Sequence, residues 1–204
     1  MSTSIKNWQL GILGLAFLLS GAAGLIYQIA WQRLLFAAFG TDLISVCIIV
    51  STFMLGLGLG ALTGGWLGDR FPNSTLKVFI CCESAIGIFG LNSPELIRQL
   101  GTLLGDASFT TSAIANFLLM LIPTSLMGAT LPVLITYLVR LWDSVGTATG
   151  YLYALNTLGA MLGSCLTAFW LFHILELDQT IHLAAGINLS VAIIVWLCFR
   201  TTSK

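Results

Sequence analysis

Charged residues divide this chain into long apolar blocks. Stretches free of Asp, Glu, Lys and Arg run over 7–32, 43–68, 107–139, 144–175 and 179–199, each longer than the roughly 20 residues an α-helix needs to cross a bilayer. A further apolar stretch, 75–93, holds Glu83 in its interior. The pattern predicts six transmembrane helices at about 10–36, 43–68, 75–93, 112–139, 147–174 and 179–199, in a single transmembrane domain over 1–204. Between the third and fourth spans, Leu96, Ile97, Leu100, Leu103 and Leu104 recur at helical spacing among Glu95, Arg98, Gln99 and Asp106. That spacing predicts an amphipathic helix over 94–108 lying at the membrane surface.

Composition agrees with lipid as the main solvent. Only 8% of residues are charged and 57% are hydrophobic, against about 25% charged in an ordinary soluble domain. The formal net charge of zero argues against a nucleic-acid partner, which would need a basic surface. Cys47, Cys81, Cys82, Cys165 and Cys198 all lie in apolar stretches without CxxC spacing, so they read as buried inert thiols rather than as a disulfide framework or a zinc site. The start of the chain, with Lys6 and an apolar run ending in Ser20-Gly21-Ala22-Ala23-Gly24, has the outline of a signal peptide. We discount that reading, because the run continues past the small residues and five more apolar segments follow.

Basic residues set an expected orientation. With the N-terminus inside, the inner segments hold Lys6, Arg70, Lys77, Arg140, Arg200 and Lys204, while the outer ones hold Arg33 and Arg98. Asp42, Glu95, Asp106, Glu176 and Asp178 collect outside. The positive-inside rule then puts both termini in the cytoplasm, in the cell (inner) membrane.

Small residues and prolines mark packing and breaks. Gly56, Gly60, Gly64 and Gly68 lie at spacing four in the second span, on one helix face where a neighbouring backbone can come close. Gly159 and Gly163 repeat the device in the fifth span, and Gly60-Ala61-Leu62-Thr63-Gly64 echoes Gly159-Ala160-Met161-Leu162-Gly163. Spans two and five run in opposite directions, so the echo fits an inverted three-plus-three repeat of the transporter kind. Pro123 and Pro132, with Gly128 between them, predict a kinked or locally broken fourth span, acting either as a hinge or as a fixed bend.

Polar groups inside the spans are the candidate site. Glu83 leads, because an intramembrane carboxylate is costly unless it faces a cavity, a partner or a proton path. At about 1.5 Å per residue, Glu83 lies roughly 12 Å into the third helix, Asn156 roughly 13 Å into the fifth and Asn188 roughly 14 Å into the sixth, all near mid-depth. The alternative role for these three is interhelical hydrogen bonding. Tyr27, Gln28 and Arg33 lie in the outer part of the first span, where Arg33 is expected to anchor at the headgroups or to pair with Asp42. His173 and His182 flank the last outer loop and are weak candidates for axial ligands of a haem or chlorophyll metal.

Several strings together resemble the membrane region of the fused transporter-like/spermidine synthase family. They are Ser20-Gly21-Ala22-Ala23-Gly24-Leu25-Ile26-Tyr27-Gln28 with Trp31-Gln32-Arg33-Leu34-Leu35, then Phe53-Met54-Leu55-Gly56 with Gly65-Trp66-Leu67-Gly68-Asp69-Arg70, then Glu83. Pro123-Thr124-Ser125-Leu126-Met127-Gly128-Ala129-Thr130-Leu131-Pro132 and Leu152-Tyr153-Ala154-Leu155-Asn156-Thr157-Leu158-Gly159 follow in order, so the likeness covers nearly the whole chain. The Gly65, Asp69 and Arg70 string also resembles the cytoplasmic gating loop of the major facilitator superfamily, with Phe71-Pro72-Asn73-Ser74 in place of the usual continuation. The resemblance implies an all-α integral membrane protein, half of a major-facilitator-like bundle. Family members continue into an aminopropyltransferase-like domain of Rossmann type. No glycine-rich strand-to-helix loop is present here, so the expectation is that the chain is not an enzyme and carries no cofactor.

Two functions follow from this reading. One is a half-transporter for a small amine or other metabolite, completed by a second copy, with Glu83 attracting a cation or carrying a proton. The other is a non-transporting accessory subunit of a larger membrane complex, which docks a separate aminopropyltransferase-like enzyme or binds a pigment or haem.

Overall fold

The computed structural model describes residues 7–39, 42–105 and 108–200, with the side chains of 7, 38, 39, 42–45 and 109 left aside. The regular elements are helical: α1 (Asn7–Phe39), α2 (Asp42–Arg70), α3 (Thr75–Leu103), α4 (Phe109–Trp142), α5 (Val145–Leu166), the one-turn α6 (Phe172–Ile174) and α7 (Leu177–Phe199). A π-helical stretch, Thr167–Leu171, joins α5 to α6. Among the described residues six helical stretches are long and apolar enough to cross a membrane, with α5 to α6 forming one of them.

Local sequence explains where the helices start and stop. Ser108 and Ser144 accept from the backbone N–H groups of Thr111 and Thr147, capping α4 and α5. Asp143, at φ 52°, takes the left-handed conformation that ends α4. Glu176 and Gln179 form a reciprocal capping box at the start of α7.

Two expectations about the spans are corrected. The segment 94–103 is not a separate helix but continues α3 straight through Pro94. The residues that would close the expected helix, 106 and 107, lie outside the described residues. Pro94 lacks the N–H that would reach the Gly90 carbonyl. The Ser93 hydroxyl donates to that carbonyl instead, at 3.0 Å, so the helix passes the proline with the acceptor satisfied. In the fourth span the expected break is not found, since α4 runs as one helix across Pro123 and Pro132. Where irregularity does occur is in the fifth span, which no proline marks: Thr167 donates to Gly163 O at 2.7 Å just where the π stretch begins.

The helices pack in three rows. The closest pairs are α2 with α4, α1 with α5 and α3 with α7, linked by α3 against α4 and α1 against α7. Two apolar cores fill the middle. One gathers Tyr27, Trp31, Ile49, Phe53, Ile86 and Ile181, and the other Phe17, Phe79, Leu134, Leu152, Val195 and Phe199.

The glycine seams are the tightest crossings. A Cβ on Gly56 would strike Thr124, one on Gly60 would strike Ser125 and Ala129, one on Gly64 would strike Ala129, and one on Gly68 would strike Thr136. On the other pair, a Cβ on Gly159 would strike Leu18 and Ala22, and one on Gly163 would strike Ala22. The two seams are built alike where Gly60 and Gly64 correspond to Gly159 and Gly163. Gly60 meets the Ser125 carbonyl and Ala129 N as Gly159 meets the Leu18 carbonyl and Ala22 N. Gly128 lies on the Leu57 carbonyl as Gly21 lies on that of Asn156.

Candidate functional site

Glu83 is wholly buried where α1, α3 and α7 meet. Ser20 donates to its Oε1 at 2.6 Å and the Asn188 amide donates to its Oε2 at 2.6 Å. Both oxygens of the carboxyl are thus held by neutral donors, one from α1 and one from α7. Among the described residues no Lys, Arg or His forms an ion pair with it. Tyr27 and Cys82 are titratable side chains near enough to feel its charge. A charged carboxylate in such surroundings is expensive.

Toward the C-terminal ends of α1 and α3 the polar atoms of Tyr27, Trp31 and Ser93 sit within the first apolar core. The Tyr27 hydroxyl lies over Gly90, at a place a Cβ would fill, and although buried it has no hydrogen-bond partner among the described residues. Tyr27 stacks on Trp31 with ring centroids 4.6 Å apart. The Trp31 Nε1 donates to Ser93 Oγ at 2.8 Å. Among the described residues Oδ1 of Asn188 and Oδ1 of Asn116 on α4 are likewise buried without a partner.

The structure brings together some of the residues singled out from sequence and separates others. Glu83 and Asn188 meet, whereas Asn156 packs its backbone and side-chain oxygens on Gly21, one residue away from Ser20. Gln28 is half-buried and makes no hydrogen bond among the described residues. Arg33 lies with its guanidinium 3.9 Å from the centroid of the Phe172 ring, a cation–π contact with the end of the fifth span. Its alternative partner, the side chain of Asp42, lies outside the described residues. Asp69 and Arg70 end α2 exposed, and neither forms an ion pair among the described residues. His182 Nε2 lies 3.2 Å from the Leu91 carbonyl, and His173 is exposed. No three His, Cys, Asp or Glu side chains gather to hold a metal among the described residues. The cysteines are free, with Cys82 buried and Cys47, Cys81 and Cys165 exposed rather than buried, since α2, α3 and α5 turn those positions away from the bundle.

Sequence reasoning passed over Ser20 and Ser93 as site residues. Isolated serines in apolar helices carry little signal. A closer look at Ser93-Pro94 would have found the second, because a proline frees the carbonyl four residues earlier and a neighbouring hydroxyl is the usual replacement.

Two ends of the bundle are pinned by polar contacts. Arg98 Nη2 reaches both carboxylate oxygens of Asp178, at 2.6 and 2.7 Å, joining α3 to α7. Arg140 donates to the Pro72 carbonyl at 2.6 Å and to Asn73 Oδ1 at 3.0 Å, joining α4 to the turn between α2 and α3.

Comparison with known proteins adds a relationship that geometry does not. No family model matches the chain and no solved structure matches it. Among curated proteins it is 24% identical over 198 residues to the polyamine aminopropyltransferase of Oceanobacillus iheyensis, covering 97% of this chain and 36% of that protein. It is 28% identical over 182 residues to the polyamine aminopropyltransferase of Corynebacterium efficiens, covering 85% of this chain and 33% of that one. Polyamine aminopropyltransferase 1 of Streptomyces coelicolor is 26% identical over 165 residues. The chain therefore spans about a third of the length of these relatives, an extent that fits the membrane region of a longer fused protein. The expectation that the chain is not an enzyme is corrected by this finding: all three relatives are named for one. A missing nucleotide-binding loop speaks only for these residues, and it says nothing about the protein to which such residues belong. Over most of its length the chain, with six helical stretches among the described residues long and apolar enough to cross a membrane, is similar to about a third of these polyamine aminopropyltransferases.

Proposed function

We propose that this chain is the membrane region of a polyamine aminopropyltransferase-type protein and works there as a half-transporter for a small amine, completed by a second copy. The observation that carries the reading is the buried Glu83 carboxyl between Ser20 and Asn188. An intramembrane carboxyl with neutral donors only is the group expected to trade a cation or proton during a transport cycle. The names of the relatives supply the substrate class, a polyamine.

The arrangement of the helices supports a half-facilitator with an inverted three-plus-three repeat. Exchanging α1 with α4, α2 with α5 and α3 with α7 turns the α2–α4 seam into the α5–α1 seam, and it turns the α3–α4 contact into the α7–α1 contact. The paired glycine contacts follow the same exchange. The orientation with both termini cytoplasmic belongs to the same reading. A second copy is favoured by α5, the least covered span. Tyr153, Thr157 and Ser164 recur along it at helical spacing and make no hydrogen bond among the described residues. Hydroxyls within a bilayer are better placed against another polypeptide or a polar path than against lipid.

A non-transporting anchor for the enzyme is the second reading, and one observation favours it: Glu83 is closed in by short hydrogen bonds on both oxygens. Uptake of spermidine into liposomes, compared between wild type and Glu83→Gln at equal incorporation, separates the two. Transport that the substitution abolishes supports the first reading. Uptake equal in both proteins removes Glu83 from the mechanism, and uptake in neither supports the anchor.

A further inference from the structure

We propose that the carboxamides of Gln28, Gln32 and Asn156 form one binding stripe for an extended polyamine, on the side of α1 left open between α2 and α5. This deepens the transport reading and rests on it for the class of ligand. Gln28, Gln32 and Asn156 all lie inside membrane spans, each half-buried, and none makes a hydrogen bond among the described residues. Other intramembrane amides are occupied: Asn188 donates to Glu83, Asn116 to Ser112 O and Asn92 to Ile88 O. A carboxamide left unsatisfied within a bilayer is costly, so three of them on one side of the bundle point to a polar ligand.

Helical periodicity places the three together. Gly21, Leu25, Gln28 and Gln32 follow one another at spacings of four, three and four and so share one face of α1. That face falls between two others. Ser20 and Trp31 turn to Glu83 and Ser93 of α3, with Trp31 also against Phe53 of α2, while Leu18 and Ala22 carry the crossing with α5. At that crossing Asn156 lays its side-chain oxygen on Gly21, so α5 brings its amide to the same face. From Gly21 the stripe rises about 16 Å to Gln32, with the half-buried Leu25 between.

The chemistry suits ammonium groups joined by short methylene chains. Each carboxamide oxygen accepts a hydrogen bond from an ammonium, and a neutral amide does so without the desolvation cost of a second buried charge. Leu25 offers the methylenes an apolar rest between the polar contacts. Arg33, the basic residue next to Gln32 in the chain, is turned onto the Phe172 ring and away from this face. Glu83 is not needed for first contact, because Ser20 and Asn188 already hold both its oxygens.

Equilibrium binding of labelled spermidine to the full chain in lipid nanodiscs tests the stripe. Gln28→Met and Gln32→Met keep the side-chain length and remove the amide, and each is expected to weaken binding about tenfold or more. Gln28→Glu is expected to tighten it, since a carboxylate at the same place attracts the cation more strongly. A merely structural role for the amide would not produce that reversal of sign. Asn92→Leu removes an exposed amide from α3 and is expected to leave the affinity within about twofold of wild type. Wild-type affinity in both methionine variants overturns the proposal, and so does weaker binding by a Gln28→Glu protein that keeps the wild-type unfolding midpoint. Absence of spermidine binding to the wild type overturns it as well. Should the methionine variants fail to fold, Gln28→Glu alone decides, by the sign of its effect. Amide-dependent binding without any uptake supports the stripe and counts against the transport reading alone, whereas uptake with binding indifferent to the amides overturns the stripe and leaves that reading standing.

Discussion

The Asn188 side chain donates to the Glu83 carboxyl at 2.6 Å across 105 residues of sequence, with both groups buried. Removing one partner should cost more than the bond is worth, because the other is left buried and unpaired. Asn188→Ala is expected to lower stability by about 1–3 kcal/mol. The pairwise term from a cycle with Glu83→Gln should be smaller, about 0.6–1.7 kcal/mol as for other intramembrane pairs. Unfolding in mixed micelles measures both. A wild-type midpoint for Asn188→Ala would show that the contact contributes nothing.

The matched seams predict matched sensitivities. Gly60→Val and Gly159→Val each force a side chain into the backbone of the facing helix, and each should destabilise by about 1–3 kcal/mol or prevent folding. Gly58→Ala and Gly65→Ala meet nothing within 4 Å and should be neutral or slightly stabilising, since alanine favours the helix by about 1 kcal/mol. Thermal unfolding of the four variants decides it, and equal losses in both groups would sink the seam assignment.

Ser93 serves two partners at once, accepting from Trp31 Nε1 and donating to the Gly90 carbonyl that Pro94 leaves free. Ser93→Ala should therefore cost about 1–3 kcal/mol. Part of that loss should return in the background of Pro94→Ala, which restores a backbone donor for Gly90. Identical losses in the two backgrounds would disconnect the hydroxyl from the proline.

The Arg98–Asp178 pair is half-exposed, with 50% and 32% of the side chains accessible. Exposure and screening limit such a pair to about 0–1 kcal/mol. Asp178→Asn is expected to shift stability by less than that, with the difference vanishing at high salt. A larger, salt-independent loss would mean that the pair is shielded in the membrane.

Sidedness is open to direct labelling. In a cysteine-free background, Asn73→Cys beside Arg140 should react with an impermeant maleimide only from the cytoplasmic face, and Gly101→Cys beside the Arg98 end only from the other. The reverse pattern would invert the topology derived from the basic residues.

The sequence alone determined the number of spans, because a helix in lipid must satisfy its own backbone and so needs an uninterrupted apolar length. It also determined that Gly56, Gly60, Gly64 and Gly68 share a face, a consequence of helical periodicity, and that Glu83 is out of place in an apolar span. The tertiary structure decided what those faces and groups meet. Glu83, Asn156 and Asn188 share a depth in the sequence, yet only Asn188 joins Glu83, since the rotation of each helix about its axis is set by packing against its neighbours and leaves no trace in depth. Ser20 became part of the site and the helix ran on through Pro94 for the same reason: in each case the partner of a hydroxyl was chosen by contacts, once within a helix and once across 63 residues. That Gly60 and Gly159 occupy equivalent crossings was hinted at by one shared pentapeptide, and it became definite only when their contacts on α4 and α1 could be compared atom by atom.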